Sequence, residues 1–394
     1  LHGEYWANTA LEGRPQLSRP ERAVDFRWTI SSPARGIPSD WYSARWVGRL
    51  TVPATGATRL AVEGNDGYRL WLDGRLLIDN WKKVSYRTTS VAVALAPHSV
   101  HVLRMEYFES TGNARVRVLW EAGRRDDSAE RIDSAVALAQ RSDVAIVMAG
   151  IEEGEFRDRS SLALPGRQEE LILRIAATGK PVVVILVGGS AMTVSRWIDS
   201  VSSVLLAWYP GEQGGPALVD VLTGDGNPGG RLPITFPISE GQLPLTYHHK
   251  PTGRGDDYLD GSGMPAFPFG YGLSYTQFEY SALRVSADSL RAVDTVTVRF
   301  AVKNTGARRG SEVPQLYVRD VLASVVRPVM ELKGFTRIEL GPGETREVSM
   351  HLPISALRFL DANMRWVVEP GVYRLLVGGS SKDIRLRGAL TVVH

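Results

Sequence analysis

Cysteine is absent, so neither a disulfide framework nor thiol chemistry is available to this chain. No apolar run reaches the roughly 20 residues that a membrane-spanning helix needs. Charge of one sign is also scarce. Lys and Arg number 46 against 43 Asp and Glu, and the two sets are interspersed. That argues against a nucleic-acid footprint, although the pI of about 9.0 leans basic. The first residue is Leu1 rather than Met, so any leader peptide would be invisible. Gly188-Gly189-Ser190 is a bare turn that no phosphate motif completes. His248, His249, Asp256 and Asp257 match no standard metal spacing, and no metal or organic cofactor is expected. What remains is an ordinary globular composition, 43% hydrophobic and 23% charged, in 394 residues. That length suits two to three domains.

From Leu1 to about Ala122 the pattern is all-β. Alternating runs recur at Ala44–Val52, Thr58–Val62, Tyr68–Leu72, Leu76–Asp79, Ser90–Leu95, His101–Phe108 and Ala114–Trp120. Asp73-Gly74 is a two-residue hairpin signal between two of them. Strands at this spacing predict a β-sandwich. Trp6, Trp28, Trp41, Trp46, Trp71, Trp81 and Trp120 all fall here. Each is better placed in a core than on a sugar ring.

The period changes from about Gly123 to Ser274. Helices are expected at Ser128–Arg141, from Pro165 to Gly179, around Ala191–Asp199 and at Glu212–Leu222. Between them Asp143–Ala149 is a short, almost wholly apolar run, the signature of a strand buried on both faces; Pro181–Val187 is a second buried strand and Val201–Ala207 a third strand. Alternation of this kind predicts a parallel sheet whose carboxyl-end loops share one edge. The first such loop is the richest in chemistry, with Glu152, Glu153, Glu155, Arg157, Asp158 and Arg159. Crowded glutamates repel one another and hold protons more tightly, which suits a general acid. The alternative is a solvated acidic loop neutralised by its arginines. The third loop carries Trp208 and Tyr209, with Glu212 placed to open a helix and favour its dipole.

Long stretches of this middle segment resemble the second domain of glycoside hydrolase family 3, the β-glucosidase and β-xylosidase group. They are E-x-E-F-R-D-R…L-P-x-x-Q-E-E-L-I, T-G-K-P-V-V-V-I-L, A-W-Y-P-G-E-Q-G-G-P-A-L-V-D-V-L-T-G-D-x-N-P-G-G-R-L-P-I-T-F-P and F-P-F-G-Y-G-L-S-Y-T-x-F. In that family the acid/base glutamate precedes an Asp-Arg pair. Aligning the pair with Asp158-Arg159 implies Glu155 as acid/base, with Glu153 as the alternate and Asp158 and Arg159 as the loop's anchor. Phe156 stands where the family usually has glycine or glutamate. Trp208 and Tyr209 would then bind substrate. Asn65–Trp81, with the opening L-H-G-E-Y-W and Tyr107–Trp120, resembles the protective-antigen-type β-sandwich, a shape element or lid. Some adhesins of that type bind calcium through two adjacent aspartates; Asn65-Asp66 stands at that place here.

Alternation returns from about Tyr275 to His394: Thr295–Val302, Glu312–Val318, Glu331–Leu340, Thr345–Leu352 and Gly371–Val377, with turns at Asn304-Thr305-Gly306 and Gly341-Pro342-Gly343. K-N-T-G-A-R-R-G-S-E-V-P-Q-L-Y-V and E-P-G-V-Y-R-L-L-V-G resemble the fibronectin-type-III-like domain that closes many members of the same family. The expected architecture is therefore multidomain, α/β plus all-β: a β-sandwich over 1–122, a parallel α/β sandwich domain over 123–274 with its first strands upstream, and a β-sandwich over 275–394.

The family's chemistry needs a nucleophilic aspartate on a (β/α) barrel, and no eightfold βα pattern exists here. The resemblance implies the C-terminal part of a retaining β-glycosidase, β-glucosidase before β-xylosidase. Its substrates would be short β-linked saccharides or aryl β-glycosides, and the barrel would lie in the same or a partner chain. No nucleic-acid or membrane partner is expected, and homo-oligomerisation is left open. A periplasmic or secreted setting is favoured over a cytoplasmic one. The contrasting reading is a non-catalytic carbohydrate-binding or adhesin-like chain.

Overall fold

A computed structural model describes residues 1–54, 56–122, 128–154, 159–251 and 258–394. It divides into two compact units. One comprises Leu1–Ala135 and Glu153–Arg159, the other Val136–Glu152 and Ser160–His394.

The first unit is a sandwich of two antiparallel sheets. The six-stranded sheet runs in the order Leu17–Pro20, His2–Trp6, Tyr42–Thr51, Val100–Glu109, Gly67–Leu72, Arg75–Asn80. The four-stranded one runs Asp25–Thr29, Ala114–Ala122, Ala57–Gly64, Arg87–Leu95. Strict alternation sends Tyr5, Tyr42, Trp46, Leu70, Met105 and Tyr107 inward, where they meet Leu60, Val62 and Val116 of the other sheet. Trp28 stacks on Phe26 with ring centroids 4.6 Å apart and closes the aromatic core. Trp6 and Trp46 are buried, whereas Trp41 and Trp120 are exposed. The expected hairpin forms at Asp73-Gly74. Both residues have positive φ, 50° and 82°, as a right-twisted two-residue turn demands.

The outer face of the six-stranded sheet holds a charge cluster. Glu106 lies directly opposite Arg45 on one neighbouring strand and Arg69 on the other. It accepts from Arg45 Nε at 3.0 Å, from Arg69 Nη2 at 2.7 Å and from Arg104. Arg69 lies over the Trp81 ring, 4.0 Å from its centroid, and Arg104 over Trp71. Burial opposes ionisation of Glu106, but the arginines outweigh it and hold the carboxyl below its ordinary value.

In the second unit, three parallel strands form a sheet in sequence order: β1 (Ala145–Gly150), β2 (Val182–Val187) and β3 (Ser203–Trp208). Helices α1 (Ser128–Gln140), α2 (Gln168–Ala176) and α3 (Gly214–Thr223) alternate with them; the boundary between the two units falls inside α1. α2 buries Ile172 and Ile175. Gly179 and Gly224, both with positive φ, lie just past α2 and α3. A further sandwich follows. Phe278–Val285, Thr295–Asn304 and Thr345–Pro353 face a five-stranded sheet built on Gly371–Gly378, around a core that includes Val298, Phe300, Leu316, Met350 and Leu375.

Several local expectations are corrected. β1 is not buried on both faces: Val147 and Ala149 point inward, but Ile146 and Met148 are 51% and 62% exposed. Among the described residues it is one of the two edge strands of this sheet, and apolar composition does not say whether an outer face is covered. No α-helix forms at Ala191–Asp199, only a 3-10 turn at Ile198–Ser200. Tertiary bonds take over there: Thr193 N donates to Leu162 O and Ser195 Oγ to Ile238 O. Pro165 precedes α2 by three residues because Gly166 turns through φ +65°. Glu212 is exposed and lies ahead of α3, which opens at Gly214 after the residue at its cap, Gln213. Glu331–Leu340 splits into Glu331–Phe335 and Ile338–Leu340, which pair in different sheets.

Candidate functional site

The chemistry-bearing loop leaves the carboxyl end of β1, and its first residues are tightly held. Gly150 passes so close to β2 that a Cβ there would stand 2.1 Å from Val187 O, which only glycine tolerates. Ile151 N donates to Val187 O at 3.0 Å. A Cβ on Gly188 would press on Ile151 at 2.4 Å. The Gln168 side chain, from the first turn of α2, grips both sides of Gly150. Its Oε1 accepts from Gly150 N at 2.7 Å and its Nε2 donates to Gly150 O at 2.9 Å. An amide can do this because it carries one acceptor and two donors, and the second donor reaches Pro165 O at 3.2 Å.

The returning limb of the loop is held by Glu240. Its Oε1 accepts from Ser161 Oγ at 2.8 Å and from Leu162 N at 2.6 Å. These bonds, led by the Leu162 amide, keep the Glu240 carboxyl below its ordinary value. Leu162 O in turn accepts from Thr193 N at 2.9 Å. Neither Gln168 nor Glu240 was singled out by the sequence. Gln168 lies inside one of the family-like stretches, so a signal existed; Glu240 has no motif around it.

Within the Glu153–Arg159 stretch, Arg159 Nη2 stands 3.9 Å from Glu153 Oε1, with both side chains largely covered. Glu155 and Asp158 lie outside the described residues, as do Asp256 and Asp257. Trp208 ends β3 in a left-handed conformation, φ +53°, uncommon for a residue with a large side chain. The ladder shifts there, so that Trp208 pairs with Val187 across a bulge, and its ring meets Phe236 edge-on at 6.3 Å. Tyr209, next in the chain, is exposed. The structure thus pairs Glu153 with Arg159 and places Trp208 and Tyr209 together at the end of β3.

The first unit holds an acidic cluster where Asn65-Asp66 was flagged. Asn65 Nδ2 donates to Asp66 Oδ2 at 2.9 Å and to Glu109 Oε2 at 3.0 Å. Ser110 Oγ donates to Asp66 Oδ1 and Tyr107 OH to Glu109 Oε2. Glu109 is fully buried, and its Oε1 accepts no hydrogen bond among the described residues. Burial is the main reason its carboxyl is pushed up to about 7. The Tyr107 hydroxyl works against that rise, and the neighbouring Asp66 carboxylate adds to it. The amide of Asn65 links the two acids by hydrogen bonds, the kind of link a cation would make by charge.

Comparison with known proteins adds a family to this geometry. The profile of the glycosyl hydrolase family 3 C-terminal domain matches residues 25–275, and that of a fibronectin type III-like domain matches residues 312–381. A β-xylosidase of Formosa agariphila is 39% identical over 76% of this chain and 42% of its own length. A β-glucosidase of Rhizobium radiobacter is 32% identical over 97% of this chain and 50% of its own length. The crystal structure of β-glucosidase from Kluyveromyces marxianus in complex with glucose covers the whole chain with a TM-score of 0.71 at 26% identity, over 50% of its own length. The chain spans half or less of the length of these relatives.

Proposed function

Because the chain belongs to glycosyl hydrolase family 3, we propose that it supplies the proton donor of a retaining β-glycosidase. Glu155 is the acid/base, with Glu153 the alternate, and the nucleophilic aspartate stands on a barrel domain outside this chain. Glu155 first protonates the glycosidic oxygen while the aspartate captures the anomeric carbon as a covalent glycosyl-enzyme. It then takes a proton from the water that releases the sugar. The substrate is a terminal β-linked glucosyl or xylosyl residue of a short saccharide or aryl glycoside, in keeping with relatives called β-xylosidase and β-glucosidase. Trp208 and Tyr209 contact it, and Asp158 with Arg159 anchors the loop. The segments 1–122, 123–274 and 275–394 act as three domains.

One observation carries this reading. The loop that holds the two candidate glutamates is gripped at both ends, by Gln168 at Gly150 and by Glu240 at Leu162. Fixed loop ends favour the positioning that a general acid needs. The exposed apolar face of β1, with no further strand beside it among the described residues, supports a sheet that receives further protein, since such edges are ordinarily covered.

The test uses the enzyme that includes the barrel. Glu155→Gln should lower kcat on saccharides, whose leaving groups need a proton, by about 10²- to 10⁴-fold. Aryl glycosides with strongly acidic leaving groups should lose far less, and azide should restore part of their turnover. The same pattern from Glu153→Gln instead would move the role to Glu153. Equal losses on both substrate types from both variants would end the reading.

A further inference from the structure

A groove of about 490 Å³ opens in the second unit, between the C-terminal end of α3 and the turn that precedes Gly310. Its volume lies within the roughly 300–1,000 Å³ of small-ligand sites. Its walls carry Asp225, Arg308, Arg309 and Glu339, none of which the proposed reaction uses. We propose that this groove binds a neutral oligosaccharide.

The groove is built rather than incidental. Two glycines form part of its lining: a Cβ on Gly224 would stand 2.8 Å from Arg308 Nη1, and one on Gly310 would stand 2.7 Å from Asn227 Nδ2. Asn227 ties the two walls together. Its amide donates to Arg309 O at 2.8 Å, and its Oδ1 accepts from Ser274 Oγ and Tyr275 N. Arg308 is held by a bond to Gly224 O at 3.0 Å and by the Tyr275 ring, 5.8 Å from its centroid. Arg309 is held by Glu339 Oε1 at 3.2 Å. Arg308 is held against one wall by its contacts, whereas Arg309 and Glu339 are exposed and can adjust to a ligand.

The charges select the ligand class. Two arginines face two carboxylates, so the walls carry no net charge and offer no gain to an anion. They offer donors and acceptors side by side. Each guanidinium has five N–H groups, of which the described bonds use one apiece. Asp225 accepts from Thr223 through Oδ2, and Glu339 from Arg309 through Oε1, which leaves a second oxygen on each. Adjacent sugar hydroxyls, each a donor and an acceptor, match that pattern.

The experiment titrates the whole chain with cellotetraose and xylotetraose by calorimetry, alongside an anionic oligogalacturonide. Saturable binding of a neutral tetraose with a Kd of roughly 0.1–5 mM is expected. The double variant Asp225→Ala, Arg309→Ala should weaken it about tenfold or more. Both side chains are exposed, so the variant should keep the parent's melting curve. Binding unchanged in the double variant, binding abolished instead by Trp208→Ala, preference for the anionic probe, or no saturation would each overturn the inference. The double variant is read by binding alone, so the groove and the catalytic reading stand or fall separately.

Discussion

Glu109 ties the stability of the first unit to pH. Its carboxyl is pushed from 4.5 in the unfolded chain to about 7 in the fold. Between those values the folded state keeps a proton that the unfolded chain has lost. By linkage, stability is then greatest below about pH 4.5, falls as pH rises towards 7, and levels off above. A rise from 4.5 to about 7 corresponds to roughly 3 kcal/mol at 1.36 kcal/mol per unit. Glu106, Asp73 and Glu240 are shifted the other way. They lose their contribution at lower pH, beneath this window.

The measurement is urea unfolding of the whole chain followed by tryptophan emission at pH 5, 6, 7 and 8. Trp6, Trp28, Trp41, Trp46, Trp71, Trp81 and Trp120 lie in the first unit, and only Trp197, Trp208 and Trp366 lie elsewhere. The signal therefore reports mainly where Glu109 sits. Glu109→Gln keeps an oxygen for Tyr107 and Asn65 and removes the titration. Wild type should lose most of its roughly 3 kcal/mol between pH 5 and 8, and the variant should lose little of it. Parallel pH profiles for the two proteins would refute the argument, because the slope would then belong to other groups.

Three further outcomes test the packing that surrounds the site. Gly150→Ala should destabilise the second unit by about 1–3 kcal/mol, since its methyl meets a backbone oxygen at 2.1 Å; an unchanged melting temperature would contradict the close approach. Gln168→Ala strips both partners from the Gly150 peptide groups and should cost about 1–3 kcal/mol, with faster hydrogen exchange at the Gly150 amide. Glu106→Ala leaves Arg45, Arg69 and Arg104 facing one another without their shared acceptor. It should cost about 3–5 kcal/mol in urea melts, and a loss under 1 kcal/mol would show that solvent screens the cluster.

Local rules made much of the fold legible. Alternation marked the long strands of both sandwiches, and Asp73-Gly74 marked its hairpin because two consecutive left-handed residues need Asp, Asn or Gly. His2–Trp6, Leu17–Pro20 and Asp25–Thr29 escaped notice: they are only four or five residues long. The Ala191–Asp199 stretch misled for another reason. Its backbone and hydroxyl groups bond to Leu162 and Ile238, 31 and 43 residues away, so an internal helical ladder was not needed. The same limit hid the loop's anchors. Gln168 acts across 18 residues and Glu240 across 78, and no local pattern encodes a partner at that distance.

Those anchors bear directly on how the proposed chemistry would work. In a retaining glycosidase the two carboxyl groups stand about 5–5.5 Å apart, and an error near 1 Å is costly. When one carboxyl belongs to another domain, its spacing from the acid depends on how firmly each is mounted. A loop tied only at β1 could pivot about Gly150. Tying Leu162 to Glu240 as well removes that freedom at the second end. Neither Gln168 nor Glu240 needs to touch substrate for this. Their contribution is to fix where the loop leaves the sheet, at Gly150, and where it rejoins it, at Leu162.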